Sequence, residues 1–513
     1  MNLLINLLKL LVLVAGALLV VGRLTRRKLP ERPAVLAGEH FTDTAQTLLG
    51  QHLAPLVEDN PGLSGIHPLP DGHQAFAARA RLADIAERSI DAQYYIWHND
   101  ISGRLLMQRL KAAADRGVRV RLLLDDNNTA GMDGVLQGLD IHPNVEVRLF
   151  NPFMQRQMRP LAFLSDFFRL NRRMHNKSFT VDNQATIVGG RNVGDEYFGA
   201  GDGVMFADLD VIAVGPVVEQ VSTDFDRYWN SASTYPLRAV FTDPVTPEDI
   251  GTEPSPDDTT QNYLKVLADS PLVQQLTEHQ LHFHWAKAVL VSDDPAKGLG
   301  QATEAKLLLA RLNRIMDEAS EQLIIVSPYF VPTRPGADHL CALARRGIQV
   351  AVLTNALSAT DVAVVHSGYA KYRKQLLAAG VKLFELKRHA TVVASRGHGG
   401  ITGSSGASLH AKTFQSDGKQ LFVGSFNMDP RSATLNTEMG LLIDSPKLAT
   451  DLQQALTSHG CDYAYEVTLN NGKLRWTTEE NGQTRIYDTE PHTTPVQRLI
   501  VRAVGELPIE WLL

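Results

Sequence analysis

The chain has 513 residues, of which 44% are apolar and 21% are charged, and its formal net charge is −6. A chain of this length and apolar content can build two sizeable cores, whereas its slight acidic excess gives no general attraction to nucleic acid. The two cysteines, Cys341 and Cys461, lie far apart in the sequence and provide neither a disulfide framework nor a zinc site.

Residues 1–28 predict a membrane anchor. Residues 10–22 contain no charged or strongly polar side chain, and extension back to Leu3 gives twenty residues interrupted by Asn6 and Lys9 alone. This is close to the roughly 20 residues that span a bilayer. A cleaved signal peptide carries its charge before the apolar run, but here the basic cluster follows it at residues 23–28. We therefore expect an anchor. The basic cluster favours the cytoplasmic side for the body of the protein, although the positive charge of Lys9 weakens this preference.

The body of the chain repeats one alternation of helical and strand patterns. Residues 76–88 are helical in pattern and precede a strand pattern at 90–97, and residues 307–319 precede 323–326 in the same way. Further strand patterns lie at 118–124 and 145–150 in the first half, and at 348–353 and 381–386 in the second. Strands that alternate with helices predict α/β layers with a largely parallel or mixed sheet. We expect one half at 50–235 and another at 276–455, joined by a proline-rich acidic linker at 236–275.

The strongest signal is an eight-residue pattern that occurs twice, 235 residues apart. It has a His, a Lys two residues later and an Asp five residues after the Lys, and an Asn follows seventeen residues after each His. The residues are His175, Lys177, Asp182 and Asn192 in the first copy, and His410, Lys412, Asp417 and Asn427 in the second. Chance is a poor explanation for two copies with the same spacing, so we interpret both as parts of one catalytic site.

These residue types suit a phosphodiester held between the two halves. Residues i and i+2 of a strand share a face, so each His and Lys should point into one pocket together with the Asn. The imidazoles would carry the chemistry, while the Lys and Asn side chains would bind phosphate oxygens. Asp182 and Asp417 stand near a turn and are expected to support the structure rather than react. Because lysines supply the positive charge, we expect no metal and no other cofactor.

The paired motifs resemble those of the phospholipase D superfamily, and the resemblance covers roughly residues 60–450. The run Asn427–Ser432, followed by Asn436–Glu438, is similar to the second motif of bacterial cardiolipin synthases. The C-type branch of that family is indicated by stretches at residues 125–128, 171–174, 292–297 and 507–513. The resemblance implies an α/β fold of two phospholipase D-like halves, with mixed sheets flanked by helices, related by a pseudo-twofold axis.

The resemblance also implies phosphatidyl transfer through a covalent phosphohistidine. One histidine would attack the phosphorus, and the other would protonate the leaving alcohol and then deprotonate the acceptor. Relatives favour His175 as the nucleophile and His410 as acid and base, although the symmetry leaves the reverse open.

The implied substrates are phosphatidylglycerol and, as donor in the C-type branch, phosphatidylethanolamine; two phosphatidylglycerol molecules are the alternative. Such an enzyme would reside in the bacterial inner membrane and bind no nucleic acid, and the sequence leaves open whether it has a protein partner. A phospholipase D, which completes the same step with water, is the rival interpretation. A nuclease or a non-catalytic scaffold on the same fold is a weaker one.

Acidic residues around the motifs are further candidates. In the family, an acidic residue beyond each Asn fixes the tautomer of a histidine. Glu438 matches that place in the second copy, and Asp208 is the candidate in the first, with Asp210 as the alternative. Asp125 and Asp126 end a predicted strand, where they could contact a ligand or cap the next segment.

Arg191 and His366 are the remaining candidates for substrate binding. Arg191 replaces the serine of the wider pattern, and it could bind a lipid phosphate or pair with Asp195 or Glu196. His366 lies in a stretch where relatives place residues that face the lipid headgroup, but a histidine on an ordinary helix face is the alternative.

Residues 456–513 predict a hairpin followed by an amphipathic helix. Strand patterns at 465–469 and 473–476 flank Asn470, Asn471 and Gly472, which are typical of a tight turn. The helix predicted at 496–507 could pack on the body of the protein or lie at the bilayer surface.

Overall fold

The computed structural model describes residues 28–31, 38–201, 205–241, 245–251, 253–272, 280–360, 362–388, 408–458, 463–480 and 482–513, together with positions 16, 20 and 275. Within these residues, none of the helices combines the length and apolar character needed to cross a bilayer. The anchor predicted over residues 1–28 lies almost wholly outside the described residues.

The first half alternates strands and helices. Its elements are α1 (Leu48–Glu58), β1 (Ser64–Leu69), α2 (Gly72–Ile85), β2 (Ser89–Ile96), α3 (Ile101–Asp115), β3 (Arg119–Asn128), α4 (Asp133–Asp140), β4 (Val145–Phe150), α5 (Arg159–Ser165), α6 (Phe167–Leu170), β5 (Ser178–Val181), β6 (Ala185–Gly189), α7 (Asp195–Phe198), β7 (Asp210–Val214), α8 (Pro216–Trp229), β8 (Thr234–Pro236), α9 (Leu237–Val240) and α10 (Asp258–Ala268). Asp71 and Asp100 cap α2 and α3 by accepting hydrogen bonds from the backbone N–H groups of Gln74 and Gly103.

The second half repeats this series. Its elements are β9 (His284–Ser292), α11 (Leu308–Glu318), β10 (Gln322–Val326), α12 (Thr333–Arg345), β11 (Gln349–Asn355), α13 (Ala363–Ala370), α14 (Arg373–Ala378), β12 (Lys382–Leu386), β13 (Thr413–Ser416), β14 (Gln420–Gly424), α15 (Pro430–Thr434), β15 (Met439–Asp444), α16 (Pro446–Ser458), β16 (Ala464–Asn470), β17 (Lys473–Glu480), β18 (Gln483–Tyr487) and α17 (Pro495–Gly505). Short 3-10 turns lie at Pro295–Leu299, Glu304–Lys306 and Glu510–Leu512.

Each half contains a mixed sheet with the same strand order. In the first half the order is β8, β4, β3, β2, β5, β6, β7, and β1, with β2, β3 and β4 parallel. In the second half it is β16, β12, β11, β10, β13, β14, β15 and β9, with β10, β11 and β12 parallel. The first strands of the two halves, β1 and β9, pair antiparallel with each other. This arrangement agrees with the α/β fold of two similar halves predicted from the sequence.

A shared apolar core holds the two halves together. It includes Val188, Val211 and Ala213 from β6 and β7, which cluster with Val423 and Leu441 from β14 and β15. Two larger cores lie within the individual halves. Because the strands that follow the two motifs contribute to the shared core, its packing also positions the motifs.

The segments predicted as linker and C-terminal region are integrated into the two halves. Within residues 236–275, Ile250, Tyr263 and Leu267 are buried in the core of the first half. The predicted hairpin is present as β16 and β17, and β16 adds to the second sheet beside β12. Asn471 and Gly472 have φ values of 48° and 75°, the left-handed backbone that a two-residue hairpin turn requires.

The motif aspartates stabilise equivalent loops in the two halves. Asp182 has φ of 52° and accepts hydrogen bonds from the backbone N–H groups of residues 87, 88 and 89, which connect α2 to β2. Asp417, also with φ of 52°, accepts them from residues 320, 321 and 322, which connect α11 to β10. Each carboxylate therefore binds the backbone of a loop that joins a helix to the next strand.

We predict that Asp182→Ala lowers the free energy of unfolding more than Asp417→Ala does. Both substitutions remove equivalent backbone hydrogen bonds at the same backbone conformation, and Asp417 loses one more from the Ser320 hydroxyl, but Asp182 is fully buried and Asp417 is not. The expected losses are about 3 and about 1 kcal/mol, because unsatisfied buried donors cost more than exposed ones. Denaturant unfolding of the detergent-solubilised protein measures both, and equal losses would contradict the burial argument.

Candidate active site

The two motif segments are joined reciprocally across the interface between the halves. The backbone N–H of His175 donates to the carbonyl of Thr437 at 2.9 Å, and that of His410 donates to the carbonyl of Ala207 at 2.7 Å. Thr437 and Ala207 each precede one of the candidate orienting acids. His175 and His410 lie three residues before the starts of β5 and β13, so the expectation that each His and Lys shares a face within a strand was wrong.

Each histidine contacts the carboxylate of the opposite half. Nδ1 of His175 lies 2.8 Å from the Glu438 carboxylate, and Nδ1 of His410 lies 2.5 Å from the Asp208 carboxylate. Both carboxylates are inaccessible to solvent. The alternative residue, Asp210, instead pairs with Arg79 at 2.8 Å. With Nδ1 engaged, Nε2 of each imidazole is the nitrogen available for chemistry.

The motif lysines add positive charge beside the histidines. Nζ of Lys177 donates to the carbonyl of His175 at 2.6 Å, and Nζ of Lys412 donates to the carbonyl of His410. Burial, followed by the charges of Lys177 and Lys412, lowers the pKa of His175 well below its usual value. Burial and Lys412 also lower the pKa of His410, although Asp208 opposes them. His175 is therefore held as a neutral imidazole near neutral pH, whereas the Asp208 carboxylate favours the protonated form of His410.

The two carboxylates differ in their protonation. Burial raises the pKa of Glu438 to about 7, although Lys177 and two serine hydroxyls oppose this shift. Burial would also raise the pKa of Asp208, but the charges of His410 and Lys412 outweigh it and the pKa falls below its usual value. Asp208 is thus ionised at neutral pH, whereas Glu438 is near its titration point there.

The two carboxylates also differ in the residue that stands beside each of them. Ser425 donates through Oγ to Glu438 at 2.5 Å. The equivalent residue of the first copy is Gly190, because Gly189 and Gly424 end the equivalent strands β6 and β14. A Cβ atom at Gly190 would lie 2.2 Å from a carboxylate oxygen of Asp208, so this position has no room for a side chain. The serine of the wider pattern is therefore replaced by Gly190, and the assignment of this replacement to Arg191 was wrong.

Arg191 supports the site from within the first half. Its guanidinium is fully buried and donates to the carbonyls of Leu69, Pro70 and Asp208. It also lies 3.5 Å from Asp210, and not against Asp195 or Glu196 as predicted. Because its side chain is inaccessible, Arg191 is not placed to bind a lipid phosphate. It holds the backbone of Asp208 in position.

The two motif asparagines have different surroundings. The amide of Asn192 accepts from the backbone N–H of Ile96 at 3.1 Å and donates to the hydroxyl of Tyr197 at 3.0 Å. The side-chain oxygen of Asn427 is buried and has no hydrogen-bond partner within the described part of the chain. Asn192 is thus fixed by the protein, whereas Asn427 retains unused hydrogen-bonding capacity.

His366 and the paired aspartates Asp125 and Asp126 near the end of β3 belong to buried ion-pair networks. His366 bonds Arg373 and lies 3.7 Å from Glu490, so its contacts are with the C-terminal segment and not with either motif. This favours the helix-face interpretation over the headgroup-facing one. Asp125 pairs with Arg173 at 2.7 Å and accepts from the backbone of Met174 at 2.7 Å, which holds the segment leading into His175.

The sequence analysis missed residues that support Glu438 and flank the histidines. Asp293 accepts a hydrogen bond from the backbone N–H of Glu438 at 2.9 Å and pairs with Lys297 at 2.8 Å. Both residues lie in the stretch at 292–297, which carried a family resemblance but no assigned role. The ring of Tyr95 packs edge-on against His175, and that of Phe206 stacks on His410. No spacing rule in the sequence connects these rings to the motifs.

A possible ligand set for a metal ion lies outside this histidine pair. His98, Asp100 and Glu196 are the residues whose ligand atoms lie within 4.8 Å of one another in the described ranges. All three are partly exposed; His98 and Asp100 lie in the loop after β2, and Glu196 lies in α7. Neither motif contributes a ligand to this group.

The comparisons with known proteins agree with this geometry. The family model described as "Cardiolipin synthase, PLD-like domain" matches residues 80–229 and 312–459. Cardiolipin synthase C of Escherichia coli K12 is 51% identical over 470 residues, which cover 91% of this chain and 99% of that protein. A cardiolipin synthase of Staphylococcus aureus Mu50 is 27% identical over 81% of this chain and 70% of its own length.

A solved structure shows the same fold. The crystal structure of phosphatidylserine synthase from Haemophilus influenzae superimposes with a TM-score of 0.57 at 15% identity, covering 90% of this chain and 99% of that one. At this identity the likeness establishes the architecture of the two halves alone.

We predict that Lys297→Met destabilises the protein in a pH-dependent manner. Burial already raises the pKa of Asp293 to about 6, and removal of the Lys297 charge would raise it further. A raised carboxyl pKa gives stability at low pH that is lost as the pH rises through that pKa. The loss in unfolding free energy should therefore be about 3 kcal/mol near about pH 8 and smaller near about pH 5.

Lys306→Met is the matched control, because Lys306 is largely exposed and pairs with Asp294 at the surface. It should change stability little at either pH. Thermal unfolding at both pH values measures the effect, and a loss from Lys297→Met that does not depend on pH would contradict the role assigned to Asp293.

Proposed function

Because the chain belongs to the family of cardiolipin synthases with phospholipase D-like domains, we propose that it transfers a phosphatidyl group onto phosphatidylglycerol. The observation that carries this proposal is the pair of buried histidines, each bonded through Nδ1 to a carboxylate of the opposite half. Such a pair presents two Nε2 atoms to one phosphodiester, one for attack and one for proton transfer.

We assign the nucleophile to His175 and the acid and base to His410. The ionised carboxylate of Asp208 stabilises a positive charge on His410, which suits a residue that must accept and release a proton. Glu438 titrates near neutral pH and stabilises an imidazolium less, so His175 remains a neutral nucleophile. The difference between the two carboxylates supports this assignment over the reverse one.

The reaction would proceed in two balanced steps. First, Nε2 of His175 bonds to the donor phosphorus, the bond from phosphorus to the headgroup alcohol breaks, and protonated His410 gives its proton to that alcohol. Next, His410 takes the proton of the phosphatidylglycerol hydroxyl, the resulting oxygen attacks the phosphorus, and the bond to His175 breaks. The products are cardiolipin, the released alcohol and the enzyme in its starting protonation state.

The lysines and asparagines would stabilise the phosphorane that forms in both steps. Burial lowers the pKa of Lys177, but an arriving phosphate anion favours the protonated ammonium. Asn427 can donate to a phosphate oxygen, and Asn192 retains one amide hydrogen after its bond to Tyr197. In this role Asp182 and Asp417 act through the loops they hold rather than at the phosphorus.

The donor and the membrane location are further parts of the proposal. The relative from Escherichia coli and the C-type stretches support phosphatidylethanolamine as the donor, with phosphatidylglycerol as the alternative. The apolar run within residues 1–28 supports attachment to the bacterial inner membrane, with the two halves on the cytoplasmic side. Hydrolysis by water at the second step would make the same site a phospholipase D.

We predict that His175→Ala and His410→Ala each lower turnover by about a thousandfold or more, and that the double variant is no worse than either. The enzyme is assayed in mixed micelles of the two lipids with labelled headgroups. The phosphatidyl adduct should form in His410→Ala supplied with a donor whose leaving group needs no proton, but never in His175→Ala. His52→Ala, which alters an exposed histidine on α1, is the control. An adduct in His175→Ala would reverse the assignment.

We predict that cardiolipin forms efficiently when phosphatidylethanolamine and phosphatidylglycerol are both present, with one ethanolamine released for each cardiolipin. Phosphatidylglycerol alone should give little product, because the preferred leaving group is missing. Product analysis by mass spectrometry, with released alcohols measured in parallel, tests this. Stoichiometric release of glycerol from phosphatidylglycerol alone would overturn the donor, and phosphatidic acid as the main product would indicate a hydrolase.

A further inference from the structure

The C-terminal helix α17 carries apolar side chains on two different faces. Val501 is buried where the helix packs beside α13, and the end of α17 approaches Ser367 of α13 closely. Val496, Leu499 and Ile500 point the other way and are 64%, 66% and 55% exposed. Their spacing of three and four residues places them on one stripe of the helix. Packing on the protein therefore explains Val501 but leaves the exposed stripe without a function.

The exposed stripe continues onto the neighbouring helix. Val362 and Val364, at the start of α13, are also exposed. Apolar side chains from two adjacent helices thus form one surface, which we call the α13–α17 surface and define by these two residues together with Val496, Leu499 and Ile500. Contiguous apolar surfaces of this kind mark sites of contact with another molecule or a membrane.

A groove extends from this surface to Phe206, the residue whose ring stacks on His410. The groove encloses about 490 Å³, and its walls include Phe206, Leu357, Ala363, Ile500 and Val501. Phe206 also stacks on the imidazole of His410 with ring centroids 5.2 Å apart. One end of the groove therefore lies at the α13–α17 surface and the other lies beside the site of chemistry.

Basic side chains accompany the surface, although the chain as a whole has a net charge of −6. Arg502 is exposed on α17, and Arg388 lies at the groove. Arginines beside an apolar stripe match the composition of helices that lie in the interface of an anionic bilayer. Contact with a second copy of this chain would give no role to a groove that ends beside His410, whereas a lipid substrate must reach that residue.

We propose that the α13–α17 surface docks on an anionic phospholipid bilayer and that the adjoining groove receives an acyl chain of the lipid whose phosphate reaches His410. The second part of this inference, that the groove holds a substrate lipid, rests on the proposed function. Docking at the active-site entrance keeps most of the acyl chains within the bilayer while the headgroup enters the site. This contact differs in role from the N-terminal apolar segment. Docking of the α13–α17 surface would orient the active site toward the membrane, whereas the N-terminal segment would retain the chain there.

A fluorescence measurement on the full chain tests docking without requiring turnover. Leu499→Cys is labelled with a polarity-sensitive thiol probe, and unsubstituted protein treated in parallel gives the background from the native cysteines. With vesicles of phosphatidylglycerol and phosphatidylcholine, the emission should shift to the blue and be quenched by spin-labelled acyl chains. Ile141→Cys is the matched control, because Ile141 is 61% exposed on the first half. Its probe should remain in water.

The measurement has two outcomes that overturn the proposal. An unshifted probe at position 499 in the presence of vesicles means that the surface does not meet lipid. A probe at 499 that is shielded from aqueous iodide before any lipid is added means that a second copy of the chain covers the surface.

A kinetic comparison tests whether docking serves the reaction. The variant Val496→Gln with Leu499→Gln should reduce the ratio of turnover on vesicles to turnover on dispersed short-chain lipids by about tenfold, because two apolar contacts with the bilayer are lost. Ile141→Gln should leave the ratio unchanged. Equal losses on both substrates would show that α17 supports the fold instead and would overturn the docking role. Failure of the unsubstituted protein on both substrates would refute the proposed function, and the fluorescence result would still decide docking.

Discussion

The site depends on the hydrogen bonds that each catalytic histidine makes with a carboxylate of the opposite half. Glu438 of the second half bonds His175 of the first, and Asp208 of the first half bonds His410 of the second. The backbone hydrogen bonds of both histidines cross the same interface. Neither half alone can orient its own histidine, so docking of the halves and assembly of the site are one event. The shared apolar core between β6, β7, β14 and β15 supplies the stabilisation that holds this interface closed.

Burial shifts the pKa values of the site residues, and it also carries a free-energy cost because charged groups are removed from water. Removal from water lowers the pKa values of both histidines and of Lys177 and raises that of Glu438. Charged groups in such surroundings are stable when each has a partner, which explains the ion pairs of Asp125 with Arg173 and of Asp293 with Lys297. These pairs do not react. They hold the backbone leading into His175 and the backbone of Glu438, the two places where a small displacement would separate the first histidine from its carboxylate.

The duplication is imperfect in places that matter for mechanism. Gly190 and Ser425 occupy equivalent positions, but a serine would collide with Asp208 in one half, whereas it bonds Glu438 in the other. The pKa values of the two carboxylates differ for another reason, because burial raises that of Glu438 whereas the charges of His410 and Lys412 lower that of Asp208. We infer that this difference allows the two histidines to take different roles. The second half also carries the C-terminal segment, whose helix α17 has no equivalent among the described residues of the first half. We infer that this asymmetry fixes which side of the site faces the lipid.

The sequence by itself determined the two halves, the motif residues and the hairpin at Asn471, because periodicity, exact repetition and turn residues are local signals. It also identified Asp208 and Glu438 as candidates, but not the exchange between halves, since spacing along the chain does not reveal which surfaces meet. Arg191 was misread for the same reason: its charge suggested a ligand, but the fold buries it against the carbonyls of Leu69, Pro70 and Asp208. The pKa values of the site, the roles of Asp293 and Lys297, and the groove beside His410 depend on burial and on contacts between distant residues, and so only the tertiary structure decided them.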